Sequence, residues 1–281
     1  MANVLPKDKQ IAVIAALAEG SSIRSIERMT DIHRDTIMRL GVRIGQGCAK
    51  VLDLTMRDLP CERIQIDEIW GFIGKKQKHL KPTDDSYRLG DVWTFCAIDA
   101  DTKLVPCFRV GKRDSITANA FVRDLSRRLQ NRVQISSDAL QAYVDAVERS
   151  FGADVDYGQI VKSYTQEAGA YTPERRYSPA EIVSVRKEQI TGNPDMALIS
   201  TSYVERLNAT TRTHMKRLSR LTLAFSKKWE HFEAAVALHF VAYNFVRRHA
   251  TLRMTPAMAA GVEKNFWTFG DMVEMAEEVS Q

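Results

Sequence analysis

Three acids carry the chemistry that this sequence could perform. Asp67 sits inside IQIDEIW, with apolar or aromatic residues close on both sides. A carboxylate in such a run is costly to bury unless it is paired or holds a cation. Asp138 closes the segment VQISSD, at the carboxyl end of a short strand-like run, which is where open α/β sheets place their ligands. Glu205 stands in SYVERLN; no further acid follows until Glu230, whereas Arg206, Arg212, Lys216, Arg217, Arg220, Lys227 and Lys228 do. Carboxylates without a histidine or thiol beside them form a hard donor set, suited to Mg2+ or Mn2+. Two such ions about 3.5–4 Å apart can activate a water or a 3′-hydroxyl and stabilise the leaving oxygen of a phosphodiester.

Helical spacing places Glu205, Asn208, Arg212 and Lys216 on one face, an acid above a column of cations suited to phosphates. Val204, Leu207, Met215, Leu218 and Phe225 form the opposite face and should pack on a sheet. Glu205 also has a plainer reading, because Ser202-x-x-Glu205 has the form of a capping box. Convergence with Asp67 and Asp138 favours the catalytic role. The neighbouring Glu68 should point to the other face of its strand. Asp99 and Asp101 read as turn residues, and Asp91 and Asp145 as solubilising charge. Ser136 and Ser137 have no base nearby, which argues against a serine nucleophile. The six histidines show no ligand spacing, and His249 in RRHATL reads as a surface or capping residue.

The elements that must position these acids follow from periodicity. Lys9 to Glu19 repeats at helical spacing until Gly20, and Ser22 to Met29 forms a short second helix. Thr30-Asp31-Ile32-His33 is a turn, with Asp31 tolerating the left-handed region where a glycine would be expected. A third helix begins near Arg34, with Ile37, Leu40 and Ile44 on one side and Arg34, Arg39 and Arg43 nearby. Short helix, turn and basic helix make a helix-turn-helix, whose second helix enters the major groove; a three-helix bundle with a solvated basic face is the alternative. The pattern then switches to period two. Residues 63–70, 92–98 and 103–110 read as consecutive strands, 115–129 as a helix, 133–136 as a strand, 139–151 as a helix and 159–164 as a fifth strand. Residues 165–201 are ambiguous; Ile182 to Val185 alternates weakly. The order predicts a mixed five-stranded sheet flanked by helices, as in the ribonuclease H-like fold, preceded by an all-α helix-turn-helix region.

The bulk numbers fit a folded chain with a polyanionic partner. The 281 residues are 44% hydrophobic with a net charge of +5. Cys48, Cys61, Cys96 and Cys107 form no C-x-x-C pair, so they read as buried or free thiols in a reducing compartment rather than as zinc ligands. No signal segment opens the chain, and the apolar run Ala234 to Val246 is too short to span a bilayer. These features point to a soluble cytoplasmic protein.

Taken together, IDEIW, SSD and STSYVERLNATTRTHMKRLSRLTLAFSK resemble the insertion sequence 1 family of bacterial DDE transposases, and AYNFVRRHATLRMTPAMAAGV is similar to an ending common among transposases and integrases. The likeness covers roughly residues 60–262. It implies a ribonuclease H-like catalytic domain that cleaves and joins DNA strands with Mg2+, Mn2+ being expected to substitute. It also implies recognition of an element's terminal inverted repeats and of target DNA, in a bacterial or archaeal cell at the nucleoid. Asp67, Asp138 and Glu205 match the family's catalytic and metal-binding acids, and Asn208 and Arg212 match polar positions after its glutamate. Some members carry a cysteine-rich zinc module before the helix-turn-helix; this sequence has none, so end recognition would rest on residues 9–50 and the basic helix.

The expected organisation is a helix-turn-helix DNA-binding region at 1–58, a catalytic domain at 59–262 and an acidic tail at 263–281. Within the tail, Phe269, Met272, Val273 and Ala276 form either a docking stripe or the face of a frayed helix. Arg34, Arg39, Arg43, Arg206, Asn208, Arg212, Lys216, Arg217 and Arg220 are expected to contact DNA. Action on two DNA ends suggests a homodimer or a larger homo-oligomer. Two other readings stay open: a non-catalytic helix-turn-helix regulator descended from a transposase, and a nuclease that cuts without joining.

Overall fold

Gly20, at φ +83°, stops the first helix, and the residues that follow set the geometry of the next two. The computed structural model describes residues 5–164, 182–219 and 221–280. Helix α1 spans Lys7–Ala18, α2 Ile23–Thr30 and α3 Arg34–Thr55. The Ser22 hydroxyl caps α2 by accepting from the Ser25 N–H at 3.1 Å. Asp31 turns the chain in the left-handed region at φ 54°. At 22 residues α3 outruns its basic segment, and its second half buries Cys48, Val51 and Leu52.

The period-two segments form the sheet. Strand β1 is Arg63–Ile73, β2 Gly90–Asp99 and β3 Phe108–Gly111. Helix α4 (Ser115–Ser126), β4 (Val133–Asp138), α5 (Gln141–Phe151), β5 (Val155–Tyr164) and β6 (Ile182–Thr191) follow. Helices α6 (Ser202–His214), α7 (Trp229–Val241), α8 (Pro256–Ala259) and α9 (Phe269–Glu278) complete the described elements. The sheet order is β3-β2-β1-β4-β5-β6. β1, β4 and β5 run parallel; β2 is antiparallel to β1, β3 to β2, and β6 to β5. The chain is therefore an α/β protein with a mixed sheet flanked by helices, and the first five strands follow the order on which the ribonuclease H-like expectation rests.

Two strand expectations need correction. The sheet has six strands, not five. The sixth, β6, lies at an edge with Ile182, Val183 and Val185 all exposed, so the weak alternation of Ile182 to Val185 reports no buried face. The third strand covers only Phe108–Gly111 rather than 103–110. Lys103 adopts φ 62°, and the backbone of Val105 is taken by a side chain instead of a full ladder: its N–H donates to Asn244 Oδ1 at 3.0 Å, and Asn244 Nδ2 donates to its carbonyl at 2.9 Å. A π-helical turn over Ala242–Val246 presents this wholly buried asparagine.

Helices α4 and α5 cover one face, where Phe121 and Tyr143 pack on Phe95. On the other face Leu218 and Phe232 lie against Gly71, together with α6. Helix α3 packs on both α7 and α9. A Cβ on Gly45 would stand 2.2 Å from the Ala234 carbonyl oxygen, and one on Gly47 2.1 Å from that of Ala276. These two glycines therefore serve close helix contact and offset their intrinsic cost in a helix. Met272, Val273 and Ala276 are buried in α9, so the stripe expected in the tail does dock. Among the described residues no helix is long and apolar enough to cross a membrane. All four cysteines are buried and free.

Candidate active site

The parallel pairing of β1 with β4 runs through Arg63↔Gln134, Ile64↔Ile135 and Gln65↔Ser136. Asp67 and Asp138 each stand two residues past that last pair, so both occupy the same step and the same face at the carboxyl ends of adjacent strands. One carboxylate oxygen from each, with one from Glu68, form a group whose atoms all lie within 4.8 Å of one another. Asn208 of α6 fixes Asp67, its Nδ2 donating to Asp67 Oδ2 at 2.7 Å, while its own Oδ1 accepts from the Cys96 thiol at 3.5 Å. Asp138 Oδ1 accepts from the Leu140 N–H at 3.1 Å.

Glu68 points to the opposite face of the strand, as alternation predicts, and its carboxylate nonetheless joins the aspartates. Its side chain does use the α4–α5 face: Oε2 accepts from Tyr143 Oη at 2.9 Å, and Oε1 accepts from Arg113 Nε at 2.7 Å and forms an ion pair with its Nη2 at 2.6 Å. The β1–β4 pairing ends at Gln65↔Ser136, and beyond it the Glu68 carboxylate lies close to those of the two aspartates.

Burial, then the Glu68 charge, push the Asp67 carboxyl up to about 7; the charges of Asp138 and Glu205 act in the same direction. Burial and Asp138 likewise raise Glu68, while Arg113 and Tyr143 pull it down. Like charges held together in a poorly hydrated place favour either a shared proton or a bound cation. Oxygen-only donors at this spacing suit a hard divalent ion, so the residues present fit the metal that the sequence suggested. Their electrostatics ask for positive charge, which one proton supplies only in part.

Glu205 lies in the first turn of α6, outside the group of three. Its Oε1 accepts from Lys162 Nζ of β5 at 2.5 Å and from Thr201 Oγ1 at 2.9 Å. Its charge still bears on Asp67. The capping-box reading fails, since Thr201 holds the N-cap position and the Ser202 hydroxyl meets that of Ser200. The open N–H groups of Tyr203 and Val204 donate instead to Gln65 Oε1 of β1, at 2.8 and 3.1 Å. Gln65 shares the Asp67 face of the strand, so one strand both carries the first acid and sets the helix that carries Glu205.

The expected DNA-contacting residues divide. Arg34 and Arg39 are exposed on the first turns of α3, whereas Arg43 bonds Gln10 Oε1 at 2.6 Å and pairs with Glu277 at 3.1 Å. Arg206 is exposed, Asn208 is buried in the acid site, and Arg212 is half-buried near Cys96. The predicted single face does not run on to residue 216. Helix α6 ends at His214, and Lys216 and Arg217 belong to a separate 3-10 turn, Lys216–Leu218. Lys216 is exposed; Arg217 turns inward and donates to Ser226 Oγ at 2.6 Å. Arg220 and the ambiguous segment 165–181 lie outside the described residues.

Sequence reasoning missed Gln65, Glu68, Arg113, Tyr143 and Lys162. Gln65 had a signal, as a polar residue two before Asp67 on the same strand face. Arg113 and Tyr143 had none, because only the tertiary fold brings them to Glu68.

No protein-family model and no curated protein matches the sequence. Over 97% of its length the chain is similar to 70% of a chain in the cryo-electron microscopy structure of a piggyBac transposase synaptic complex with hairpin DNA, at 12% identity and a TM-score of 0.47. A likeness that remote does not carry a function across.

Proposed function

We propose that the chain is a DDE transposase of the insertion sequence 1 kind, which binds the ends of its element and cuts and joins DNA strands. The observation that carries this reading is the meeting of Asp67 and Asp138 at matching positions past the last β1–β4 pair, with Asn208 of α6 fastened to Asp67. Asp67 and Asp138 would hold Mg2+, with Glu205 as the third acid. When bound, the ion would supply positive charge that eases deprotonation of a water or 3′-hydroxyl and polarises the phosphodiester. Asn208 orients Asp67, Gln65 sets the start of α6, and Lys162 balances the Glu205 charge until that acid is engaged. The exposed Arg206 and Lys216, with Arg34 and Arg39 on α3, would neutralise phosphates, each contact steepening the salt dependence of binding. Residues 1–58 would grip the element end, and two copies or more would serve its two ends.

The test uses labelled DNA from the two flanks of the gene with purified protein and Mg2+, scored for nicking and for joining to a plasmid. Wild-type protein should do both. Asp67→Asn and Glu205→Gln should each lose at least about a thousandfold in rate, the scale on which essential active-site groups act. Nicking without joining would point to a nuclease. Binding with no metal-dependent cutting, unchanged in both variants, would sink the catalytic reading in favour of a regulator.

A further inference from the structure

On the α4–α5 side of the sheet, a cleft of about 410 Å³ opens between the connection 74–90 and the end of β3, lined by Gln77, Tyr87, Asp91, Trp93, Lys112 and Arg113. We propose that this cleft takes an unpaired nucleobase of the DNA strand being processed. The proposal rests on the DNA-processing function above and deepens it.

Four observations support it. The walls offer what a base needs. Tyr87 is 76% exposed, Trp93 is half-buried, and the Arg113 guanidinium lies 5.0 Å from the Trp93 ring. Aromatic rings and guanidinium planes stack on bases whatever their sequence, and amide and carboxylate groups can meet a base edge.

The cleft is also braced. The Gln77 N–H donates to Asp91 Oδ1 at 3.0 Å, and the Asp91 N–H returns a bond to Gln77 Oε1 at 3.3 Å. Lys112 Nζ clamps the carbonyls of Leu89 and Asp91 at 2.8 and 2.9 Å. Gly90, at φ +86°, permits this approach, since a Cβ there would stand 2.3 Å from Gln77 Oε1. Tyr87 lies nearly parallel to Trp229, their centroids 6.2 Å apart. Preformed walls lower the ordering cost of binding.

The third observation is position. Arg113 joins the cleft to the acids, because the guanidinium that covers Trp93 also holds Glu68, whose carboxylate meets Asp67 and Asp138. The fourth is charge. Residues 74–90 carry Lys75, Lys76, Lys78, Lys81 and Arg88 against only Asp84 and Asp85, a balance that suits the phosphates on either side of a held base. The base must be unpaired, because within a duplex both of its faces are already stacked.

The test compares full-length protein, without Mg2+, on a fluorescein-labelled blunt duplex and on the same duplex with a short single-stranded tail, read by fluorescence anisotropy. Cutting with Mg2+ is assayed in parallel. Wild type should prefer the tailed duplex by about tenfold, the scale of one stacked base. Tyr87→Ala and Trp93→Ala should bring that ratio close to one, and Trp93→Phe should keep most of it. Tyr87 is exposed enough that its variant tests the cleft even if Trp93→Ala misfolds. Equal affinity for both duplexes with cutting intact would overturn the cleft and leave the transposase. A tail preference lost in the variants, in a protein that never cuts, would keep the cleft and sink the transposase. A preference that survives both alanine variants would place the base elsewhere. Full competition by micromolar deoxynucleoside monophosphate would make this a free-nucleotide site and overturn the proposal.

Discussion

Arg128, just past α4, and the Asp67–Glu68–Asp138 group both take charge out of water, and they answer its cost in opposite ways. The Arg128 guanidinium has a partner in each direction. It donates to Asp124 Oδ1 at 3.0 Å, to Asp53 Oδ1 at 2.9 Å, and to the carbonyls of Leu52 and Met56 at 3.0 and 3.3 Å, which closes the carboxyl end of α3. At the other place three carboxylates face one another: Glu68 meets the Arg113 guanidinium and the Tyr143 hydroxyl, whereas Asp67 accepts from the neutral Asn208 amide and Asp138 from the Leu140 N–H. A scaffold satisfies its buried charge internally. A deficit left open in this way marks a candidate site for a ligand of opposite charge.

The largest expected effect breaks the compensated side. Arg128→Met should cost about 3 kcal/mol, since it strands the Met56 carbonyl and leaves Asp124 without its buried partner, while the Leu52 carbonyl keeps the Met56 N–H and Asp53 keeps Arg57. Urea unfolding measures it; a loss under about 1 kcal/mol would mean that water replaces the guanidinium freely. Asp67→Asn should do the reverse and stabilise the metal-free protein at neutral pH by roughly 1–3 kcal/mol, because it removes a repelled charge.

The sign with pH sharpens this contrast. Asp67 titrates near 7 in the folded state against an ordinary value of 3.8. Between those limits the folded protein binds the extra proton, so this group withdraws stability as pH rises. Buried His239 acts the other way. Burial pushes it down to about 3 from 6.5, so its contribution grows as pH rises toward 6.5. Comparing wild type with Asp67→Asn cancels the histidine. The melting gap between the two should be small near pH 4 and widest above pH 7, and Mg2+ should narrow it by stabilising wild type alone. A gap independent of both pH and Mg2+ would remove the repulsion argument.

The same contrast explains what the sequence could reveal. Asp67 and Asp138 were readable because an acid inside an apolar strand, or at its carboxyl end, conflicts with its local pattern. Glu68 was not readable. Alternation puts it on the far face, and its nearness to the two aspartates depends on how β1 and β4 lie beyond their last pair, which no local pattern encodes. The α6 face was read too far, because its basic run continues past Met215 while the helix does not. The third strand was overextended for a related reason: Asn244, more than a hundred residues away, claims the Val105 backbone. Features written in neighbouring residues were recovered, and features that depend on partners distant in sequence were not.

Gln65 offers a middle-sized test of how the strand sets the helix. Gln65→Leu keeps bulk but leaves the N–H groups of Tyr203 and Val204 without their acceptor. It should cost about 1 kcal/mol, the usual worth of an N-cap. The loss of cutting should exceed what that instability explains, because Glu205 and Asn208 both ride on α6. Amide exchange at Tyr203 and Val204 should speed up while the rest of the sheet keeps its protection. Unchanged exchange at those two amides would show that α6 does not depend on the strand for its start.

The smallest effect decides the role of Glu205. Its pair with Lys162 is half-exposed, 27% for the lysine side chain and 50% for the glutamate, so Lys162→Met should change stability by less than about 1 kcal/mol. If Glu205 completes the metal site, the lysine competes with the incoming ion for its carboxylate. Removing that competitor should then tighten Mg2+ binding by a few-fold in calorimetric titration, and Glu205→Gln should weaken it. If Glu205 serves α6 alone, Lys162→Met leaves the Mg2+ affinity where it was, and the deficit at Asp67, Glu68 and Asp138 is the whole of the site. The two variants move one affinity in opposite directions under the first reading and not at all under the second, which separates a ligand from a neighbour even though neither change much disturbs the fold.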